Sequence, residues 1–435
     1  AKVTHKKRVS IISKLLGVDP SKIIASEHHL THAYAGIFAS GFVKNIPQEE
    51  CLVITVDGEG DMVSSTVGTF DPKTLHYERI AQSSYAESIG HFYSAITSYL
   101  GMKILEHEYK VMGLAPYSYS PQAERLVRSF LDHIWIDNDL QIRTKVHSHK
   151  FEDVLDIVCK GVRFDYVAAA AQKVVEHLLV DLVRKSIKKT GLSNVILSGG
   201  VFMNVKANYE ILKIPDIKRL FVMPSCGDES LPIGSCYYAT LLHNKETMRH
   251  LPRLQNLYLG PEYSHDQVES VLEQSEFEYK AYGKRIIDEV ARLLAKGDVV
   301  ARLAGRMEFG ARALGNRSIL ADASRGDVVE EINKMIKMRD FWMPFAPSIL
   351  EEYAPYYIKH PELLEKVEPH FMMMTFESTP LAEEHLRAAL HPYDKTLRPQ
   401  LVNKTMNPEY YELLHAFMKR TKIAGILNTS FNIHG

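Results

Sequence analysis

The sequence DYVAAAAQKVVEHLLVDLVRKSIKKTGLSNVILSGGVFMN, residues 165–204, decides the predicted fold class. Residues 165–190 carry apolar side chains at helical spacing, and Gly191 follows as a helix stop. The apolar run 194–197 then predicts a short strand that leads into a Gly-Gly pair, where the backbone can approach phosphate or sugar oxygens closely. A long helix followed by a strand and a glycine turn predicts an α/β protein.

Two aspartates follow predicted strands on either side of this stretch. Asp57 comes directly after the apolar run 51–56, and Asp228 lies in the loop after the run 219–224. Loops that follow strands commonly hold ligand groups in α/β folds. Each aspartate also has a structural explanation, because Asp57 fits a hairpin turn and Asp228 fits a helix N-cap or a turn.

Two histidines near the N-terminus predict a metal site. In the sequence EHHLTHA, residues 27–33, His28 and His32 stand four residues apart, and Ser26 is the predicted N-cap of a helix. That spacing places both imidazoles on one helix face, where they can bind one iron, zinc, nickel or copper ion. The alternative is a pair of surface histidines without a metal.

A glycine-rich and arginine-rich stretch, residues 305–318, predicts an anion-binding loop. Its arginines can bind phosphate or carboxylate bidentately, and its glycines predict exposed backbone amides. The alternative is a surface loop held by structural salt bridges. Lys110 is a further candidate for contact with phosphate or an acidic substrate group, although a lone lysine is more often a solvated surface residue.

The composition is that of an ordinary globular protein with two domains. The chain has 435 residues, 46% hydrophobic and 24% charged, and a net charge of −1 that gives no attraction to nucleic acid or anionic membranes. Four scattered cysteines favour a reduced, cytoplasmic protein, and no apolar run is long enough to span a bilayer. A change of composition over residues 243–261 predicts a boundary between domains 1–250 and 251–435.

The order of the motifs resembles the NodU/CmcH carbamoyltransferase family, which includes antibiotic O-carbamoyltransferases such as the tobramycin enzyme. The matching segments, in chain order, are His28–Ala33, Val56–Gly58, Glu108–Tyr117, Leu197–Asn204, Gly227–Asp228, Glu308–Leu320, Pro344–Ser348 and Asn428–Asn432. Met343 stands where many members carry arginine, and Glu229 and Ser230 stand where serine and glycine are more common.

The resemblance implies two domains of known type. Domain 1–250 would have the actin-like ATPase fold of the universal tRNA threonylcarbamoyl transferases, with the opening strand and phosphate loop missing. Domain 251–435 would be a YrdC-like α/β domain with its C-terminal part missing. A homodimer is compatible with this organisation.

The resemblance also implies an O-carbamoyltransferase of natural-product biosynthesis. The second domain would join carbamoyl phosphate to ATP, with Mg²⁺, to give carbamoyl-adenylate and pyrophosphate. The first domain would then transfer the carbamoyl group to a hydroxyl of a small-molecule acceptor. The expected partners are therefore ATP, carbamoyl phosphate and this acceptor, without nucleic acid or membrane.

The matching motifs imply a role for thirteen residues. Four residues would bind Fe(II) or another divalent metal and, together with Lys110, would be catalytic: His28, His32, Asp57 and Asp228. Four would line the nucleotide pocket: Ser198, Gly199, Gly200 and Asn204. Four more would face the phosphates or the adenylate: Arg306, Arg312, Asn316 and Arg317.

Three alternatives remain open at the level of sequence. A tRNA threonylcarbamoyl transferase is disfavoured by the near-neutral charge and by the arginine-glycine loop on the same chain. An actin-like-fold small-molecule kinase would form ADP without carbamoyl phosphate. A non-catalytic nucleotide-binding module would need no metal.

Overall fold

The computed structural model describes residues 2–44, 48–118 and 120–433, and it shows a mixed α/β protein. The strands are β1 (Cys51–Gly60), β2 (Val63–Asp71), β3 (His76–Ser84), β4 (Ile134–Ile136), β5 (Ile142–Thr144), β6 (Asn194–Ser198), β7 (Arg219–Val222), β8 (Val300–Leu303), β9 (Arg317–Ala321), β10 (Ala346–Leu350), β11 (Gln400–Val402) and β12 (Gly425–Ser430). The helices are α1 (Lys2–Leu16), α2 (His28–Ala39), α3 (Ile89–Tyr99), α4 (Glu108–Leu114), α5 (Pro121–Leu131), α6 (Phe151–Val158), α7 (Phe164–Thr190), α8 (Val205–Leu212), α9 (Leu231–His243), α10 (Lys245–His250), α11 (His265–Glu273), α12 (Ile286–Lys296), α13 (Val328–Ile332), α14 (Ala354–Tyr357), α15 (Pro380–His385) and α16 (Pro408–Thr421).

The first sheet has the strand order β3-β2-β1-β6-β7. β1 pairs antiparallel with β2 on one side and parallel with β6 on the other, and β6 pairs parallel with β7. The hairpin predicted after Asp57 is present, but its turn lies at Asp61 and Met62 because β1 continues to Gly60. Asp57 is therefore a strand residue beside the parallel strand ends, where ligands commonly bind.

The long helix α7 confirms the fold prediction made from the opening stretch. Its 27 residues bury one continuous apolar face, and the helix ends at Gly191 with the left-handed φ of 71°. Across the described residues, none of the helices combines the length and the apolarity that crossing a membrane requires.

The histidine helix α2 begins at His28, and its N-cap is Glu27 rather than the predicted Ser26. The Glu27 carboxylate accepts the Leu30 backbone N–H at 2.7 Å. The Ser26 hydroxyl is instead the acceptor for the Thr31 hydroxyl at 2.9 Å. α2 packs against α9 and the first sheet, which fixes the direction of its imidazoles.

The second sheet has the strand order β11-β10-β12-β9-β8. β10 pairs parallel with β11, and the other neighbours pair antiparallel. The arginine-glycine loop connects β8 to β9 and therefore lies at one edge of this sheet.

One hydrophobic core extends under both sheets, with buried residues that run from Ala35 to Leu427. Polar contacts also cross between the two halves: the Leu220 backbone N–H donates to the Lys366 carbonyl at 2.8 Å, and the Asn208 amide donates to the Met373 carbonyl at 2.8 Å. The halves are thus packed together, and the division at residue 250 stays a prediction.

Candidate metal and anion sites

The structure brings His28, His32, Asp57 and Asp228 to a single point. The two histidine Nε2 atoms lie 3.2 Å apart, and each lies 3.1 Å from Oδ2 of Asp57. Oδ1 of Asp228 lies 3.5 Å from Nε2 of His28 and 3.6 Å from Nε2 of His32. Residues from α2, β1 and the loop after β7 therefore place four possible ligand atoms close together.

These separations suit a metal ion. Ligand atoms bound at ordinary Zn–N or Zn–O lengths lie roughly 3.0–3.6 Å from one another around one ion. Two imidazoles and two carboxylates form a donor set that iron(II), zinc and manganese accept. The residues present therefore fit a divalent metal, and its identity stays a prediction.

A hydrogen-bond chain holds His32 in the tautomer that a metal needs. The Ser230 hydroxyl donates its one proton to the Gly227 carbonyl at 2.8 Å, so its oxygen accepts the Nδ1–H of His32 at 3.3 Å. The Nε2 lone pair of His32 then faces Asp57 and Asp228. Such a buried partner on the second ring nitrogen is typical of metal-binding histidines.

The electrostatics of the cluster support the same assignment. Burial alone lowers the pKa of His32, but the hydrogen bonds with Asp228 and Asp57 outweigh burial and raise it. Burial alone raises the pKa of Asp57, but the two histidines outweigh burial and hold it well below its usual value. A divalent cation would provide the positive charge that this pair of carboxylates favours.

His29 takes no part in the cluster. Its Nδ1 lies 2.8 Å from the Thr55 hydroxyl, and its Nε2 lies 3.0 Å from the Val63 carbonyl. Burial lowers the pKa of His29 to about 4, so its ring is neutral. It joins α2 to the first two strands.

The predicted nucleotide residues lie at the end of β6, beside Asp57. Gly199 has a φ of +101°, and a Cβ atom there would lie 2.3 Å from the Val56 carbonyl, so only glycine fits. A Cβ atom on Gly200 would lie 2.8 Å from Oδ1 of Asp57. The Ser198 hydroxyl is buried and has no hydrogen-bond partner in the described residues, which leaves it available to a ligand.

Asn204 has a structural role. Its amide oxygen caps α8 by accepting the Ala207 N–H at 3.1 Å, and its amide pairs with Gln172 in both directions at 2.9 Å. The geometry therefore accounts for Asn204 without a nucleotide, and its contact with one stays a prediction.

The arginine-glycine loop is organised by its own carboxylate. Oε1 of the buried Glu308 accepts three backbone amides, from Leu314 and Asn316 at 2.8 Å each and from Arg317 at 3.2 Å. The prediction that this loop exposes its amides is wrong for these three, because Glu308 occupies the position that an anion would take. The Glu308 carboxylate, inside the loop, is the acceptor for these three backbone amides.

Three of the four predicted phosphate-facing residues hold this loop together. Arg306 donates to the Leu259 and Gly260 carbonyls, and Arg317 donates to the carbonyls of Ala304 and Gly305. The amide of Asn316 is likewise used, since it donates to the Arg306 carbonyl at 2.8 Å and accepts from Asn407 at 2.9 Å. Their contact with phosphates stays a prediction, and their structural role is what the geometry shows.

Arg312 belongs instead to a group of three buried cations, the arginine cluster, which we define as Arg312, Arg339 and Arg398. None of the three forms an ion pair or hydrogen bond with another described residue, and each has a buried Nε without a partner. Burial lowers the pKa of all three, and the charge of neighbouring arginines lowers it further for Arg312 and Arg398. Their side chains lie deep in the protein yet keep part of their surface accessible, as in a cleft.

Lys110 lies outside both groups and joins the two halves of the chain. Its Nζ lies 3.1 Å from Oδ2 of Asp340, which lies between β9 and β10 of the second sheet. The alternative that Lys110 is a solvated surface residue is wrong, because its side chain is only 17% exposed and has a defined partner. A catalytic role for Lys110 stays a prediction.

The loop that carries Asp228 touches the loop that carries Arg312. Gly310 has a φ of +90°, and a Cβ atom there would lie 2.4 Å from the Ser225 hydroxyl oxygen. Glu229 continues this contact, since it accepts the Ser225 hydroxyl at 2.5 Å and its charge reaches Arg312. The metal cluster and the arginine cluster are therefore neighbours across this junction.

Comparison with known sequences assigns the family. The profile described as Carbamoyltransferase N-terminus matches residues 2–237, and the profile described as Carbamoyltransferase C-terminus matches residues 291–435. The chain belongs to the carbamoyltransferase family. This confirms the resemblance that the order of motifs predicted.

Two nodulation proteins are similar to this family member over almost its whole length. Nodulation protein NolNO of Sinorhizobium fredii is 33% identical over 95% of this chain and 60% of its own length. Nodulation protein NolO of Bradyrhizobium diazoefficiens is 31% identical over 93% of this chain and 72% of its own. The solved structure of full-length HypF in its phosphate- and nucleotide-bound form covers 55% of this chain and 41% of its own, with 15% identity and a TM-score of 0.35, too low to support an inference.

Sequence reasoning missed two arginines of the cluster in this carbamoyltransferase. Arg339 follows a helical segment, and Arg398 stands alone between Leu397 and Pro399, so neither belongs to a recognisable pattern. A separate cavity of about 420 Å³, lined among others by Phe42, Arg219 and Glu368, contains none of the predicted site residues.

Proposed function

We propose that this protein is an O-carbamoyltransferase that activates carbamoyl phosphate with ATP and transfers the carbamoyl group to a hydroxyl of a small-molecule acceptor. The family assignment supports carbamoyl transfer. The proposal adds five points to this assignment: the donor, the adenylate intermediate, Fe(II), the acceptor and the two named folds. An antiparallel meander continued by two parallel strands supports the actin-like assignment of the first sheet.

One observation carries the proposal: a four-donor metal cluster lies across a loop junction from three unpaired, buried arginines. Burying a cation without a partner is costly, so a cluster of three implies an anion that occupies the cleft during function. ATP and carbamoyl phosphate both present phosphate oxygens, which guanidinium groups bind well. A metal and an anion-binding cleft on one chain fit a two-step transfer.

In the first step the arginine cluster binds the phosphates. Water first cleaves carbamoyl phosphate to carbamate and inorganic phosphate, and the three positive charges then neutralise the negative charge that develops when a carbamate oxygen attacks the α-phosphate of ATP and pyrophosphate leaves. Burial strengthens this interaction, because little water screens the guanidinium groups. The Glu308 contacts fix the loop from which Arg312 projects and so reduce the reorganisation that binding requires.

In the second step the residues around the metal cluster hold the acceptor. A divalent ion bound there supplies Lewis acidity to an oxygen of the acceptor or of the carbamoyl group. Asp228 has a side chain that is 69% exposed, whereas His32 is fully buried, so the open side of the cluster lies at Asp228. The acceptor hydroxyl therefore approaches from the Asp228 side, and the Ser230 hydroxyl keeps His32 in the required tautomer.

The experiment separates the two steps with two variants. The wild-type protein should release pyrophosphate and AMP from ATP only when carbamoyl phosphate is present. Asp228→Ala should keep carbamoyl-phosphate-dependent ATP–pyrophosphate exchange and lose transfer to the acceptor, as should His28→Ala. Arg312→Ala should lose the exchange by at least about a hundredfold, the usual cost of removing a transition-state charge contact.

Arg125→Ala is the matched control, because Arg125 is an exposed arginine on α5 and should leave both steps unchanged. Acceptors are screened by mass spectrometry with aminoglycosides, β-lactam precursors and oligosaccharides. ADP formation without carbamoyl phosphate would indicate a kinase instead. Normal transfer by Asp228→Ala would refute the assignment of the second step.

A further inference from the structure

A second group of metal-binding side chains lies beside the first, at Glu59, His91 and His149. One donor atom from each lies within 4.8 Å of the other two. They come from three separate segments: β1, the first turn of α3 and the turn before α6. Neither the metal cluster nor the arginine cluster includes any of them.

The hydrogen bonds of His91 prepare one of its nitrogens for a metal. The Ser148 hydroxyl donates its proton to the Tyr85 carbonyl at 2.9 Å, so its oxygen accepts the Nδ1–H of His91 at 3.1 Å. The Nε2 lone pair of His91 is therefore left for another partner. This is the same arrangement that Ser230 imposes on His32.

His149 and Glu59 complete the group. Nε2 of His149 lies 3.4 Å from Oε2 of Glu59, and the rings of His91 and His149 have centroids 4.3 Å apart. The ring of His147 stacks on His149 at 5.2 Å and holds it in place from the side. Both Glu59 and His149 are about half exposed, so an ion can enter from solvent.

We propose that Glu59, His91 and His149 bind a second divalent cation of the zinc type. Two imidazoles and one carboxylate are a donor set that Zn²⁺ takes, and three protein ligands leave at least one coordination position open. That position faces solvent at the half-exposed side of the group. It is suited to an oxygen of a bound ligand, such as a hydroxyl or a carboxylate.

The second site is close to the first but shares no donor with it. Along β1 only Gly58 separates Asp57 from Glu59, and the Ser88 hydroxyl donates to the Gly58 carbonyl at 2.7 Å. Ser88 is the N-cap of α3, so the segment that carries His91 is fastened to this part of the strand. Each site can therefore be emptied by substitution without removing a ligand of the other.

Zinc stoichiometry of the purified protein tests the proposal. After equilibrium dialysis against ZnCl₂, elemental analysis should find two zinc ions per chain in the wild type. His149→Ala and Glu59→Gln should each bind one, with the second at least about tenfold weaker. Ser148→Ala should weaken the same ion by about tenfold, since it removes the acceptor that orients His91.

His76→Ala is the matched control, because it removes an exposed imidazole on β3 that lies outside the donor set, and it should keep both ions. Circular dichroism confirms folding of each variant, and the half-exposed Glu59 and His149 make unfolding unexpected. A zinc content in His149→Ala and Glu59→Gln that equals that of the wild type would overturn the proposal. The measurement needs no carbamoyl transfer, and the difference between the wild type and these variants reports on this site whether or not the first metal cluster also holds zinc.

Discussion

Arg398 shows at the scale of one residue how an unsatisfied charge marks a binding cleft. Burial and the charges of Arg312 and Arg339 both lower its pKa, and no described carboxylate pairs with it. We predict that Arg398→Met raises the free energy of unfolding in anion-free buffer by about 1 kcal/mol or more, because it removes a buried cation without a partner. Thermal unfolding without anions measures this gain.

The same substitution should abolish the stabilisation that pyrophosphate gives to the wild type. Arg125→Met serves as the control and should change neither quantity, since Arg125 is exposed on α5. A destabilised Arg398→Met variant that still gains stability from pyrophosphate would contradict the interpretation of the arginine cluster.

Glu176 is a second residue whose burial has a measurable consequence. Burial raises the pKa of Glu176 from 4.5 to about 7, although Gln172 donates a hydrogen bond to it at 2.7 Å. The native state therefore binds more protons than the unfolded state between these values, so stability is highest below pH 4.5 and falls as pH rises through 7. Glu176→Gln should be more stable than wild type by about 3 kcal/mol at pH 8.5.

At pH 5 the advantage of Glu176→Gln should fall to about 1 kcal/mol, because the native wild-type carboxyl is then protonated and only the unfolded carboxyl has lost most of its protons. Urea unfolding of both proteins at the two pH values measures the difference. An advantage that does not change with pH would show that packing, rather than protonation, distinguishes the two side chains.

At the scale of elements, the loop between β8 and β9 depends on one carboxylate. Glu308→Ala would leave three buried amides without an acceptor, so we predict a loss of about 3 kcal/mol or more in the free energy of unfolding. Carbamoyl-phosphate-dependent pyrophosphate release should fall as well, because Arg312 projects from this loop. Urea unfolding and the exchange assay measure the two effects.

Glu330→Ala provides the comparison for Glu308→Ala. Its carboxylate makes an exposed pair with Lys334 on the same helical segment, and such pairs contribute little. Its unfolding midpoint should match the wild type. Equal midpoints for Glu308→Ala and wild type would mean that the loop does not need its interior carboxylate.

The sequence predicted the elements whose signals are local. The helix α7 and the strands β1 and β6 follow from apolar spacing over adjacent residues, and the helical spacing of His28 and His32 placed both imidazoles on one face. The cap was misassigned to Ser26 because the choice between neighbouring capping residues depends on contacts with Thr31. The fine geometry of an element end is set by packing rather than by pattern.

What the sequence could not predict are groupings that only the folded chain creates. Arg398 lies near Arg312 although it follows it by 86 positions in the sequence, and no periodicity relates them. The amides of the arginine-glycine loop looked free because the role of Glu308 depends on the loop's closed shape. The convergence of Asp57 and Asp228 was predicted only through the family resemblance.

At the scale of the whole molecule, the shared core predicts a single unfolding transition. The chain has two tryptophans, Trp135 in β4 and Trp342 between β9 and β10, so Trp342→Phe and Trp135→Phe each leave one reporter. Because one core extends under both sheets, both fluorescence midpoints in urea should coincide with the circular dichroism midpoint. Two separated midpoints would show that the halves unfold independently.

The packing of Gly310 directly on Ser225 has a thermodynamic consequence. A Cβ atom at Gly310 would collide with the Ser225 side chain, so the segment bearing Asp228 and the segment bearing Arg312 are in direct contact. If both sites bind as proposed, an anion that draws the arginines inward should alter the affinity of the Asp228 carboxylate for its ion. Reciprocity then requires the ion to change the affinity for the anion by the same factor, so occupancy of either cluster alters binding at the other.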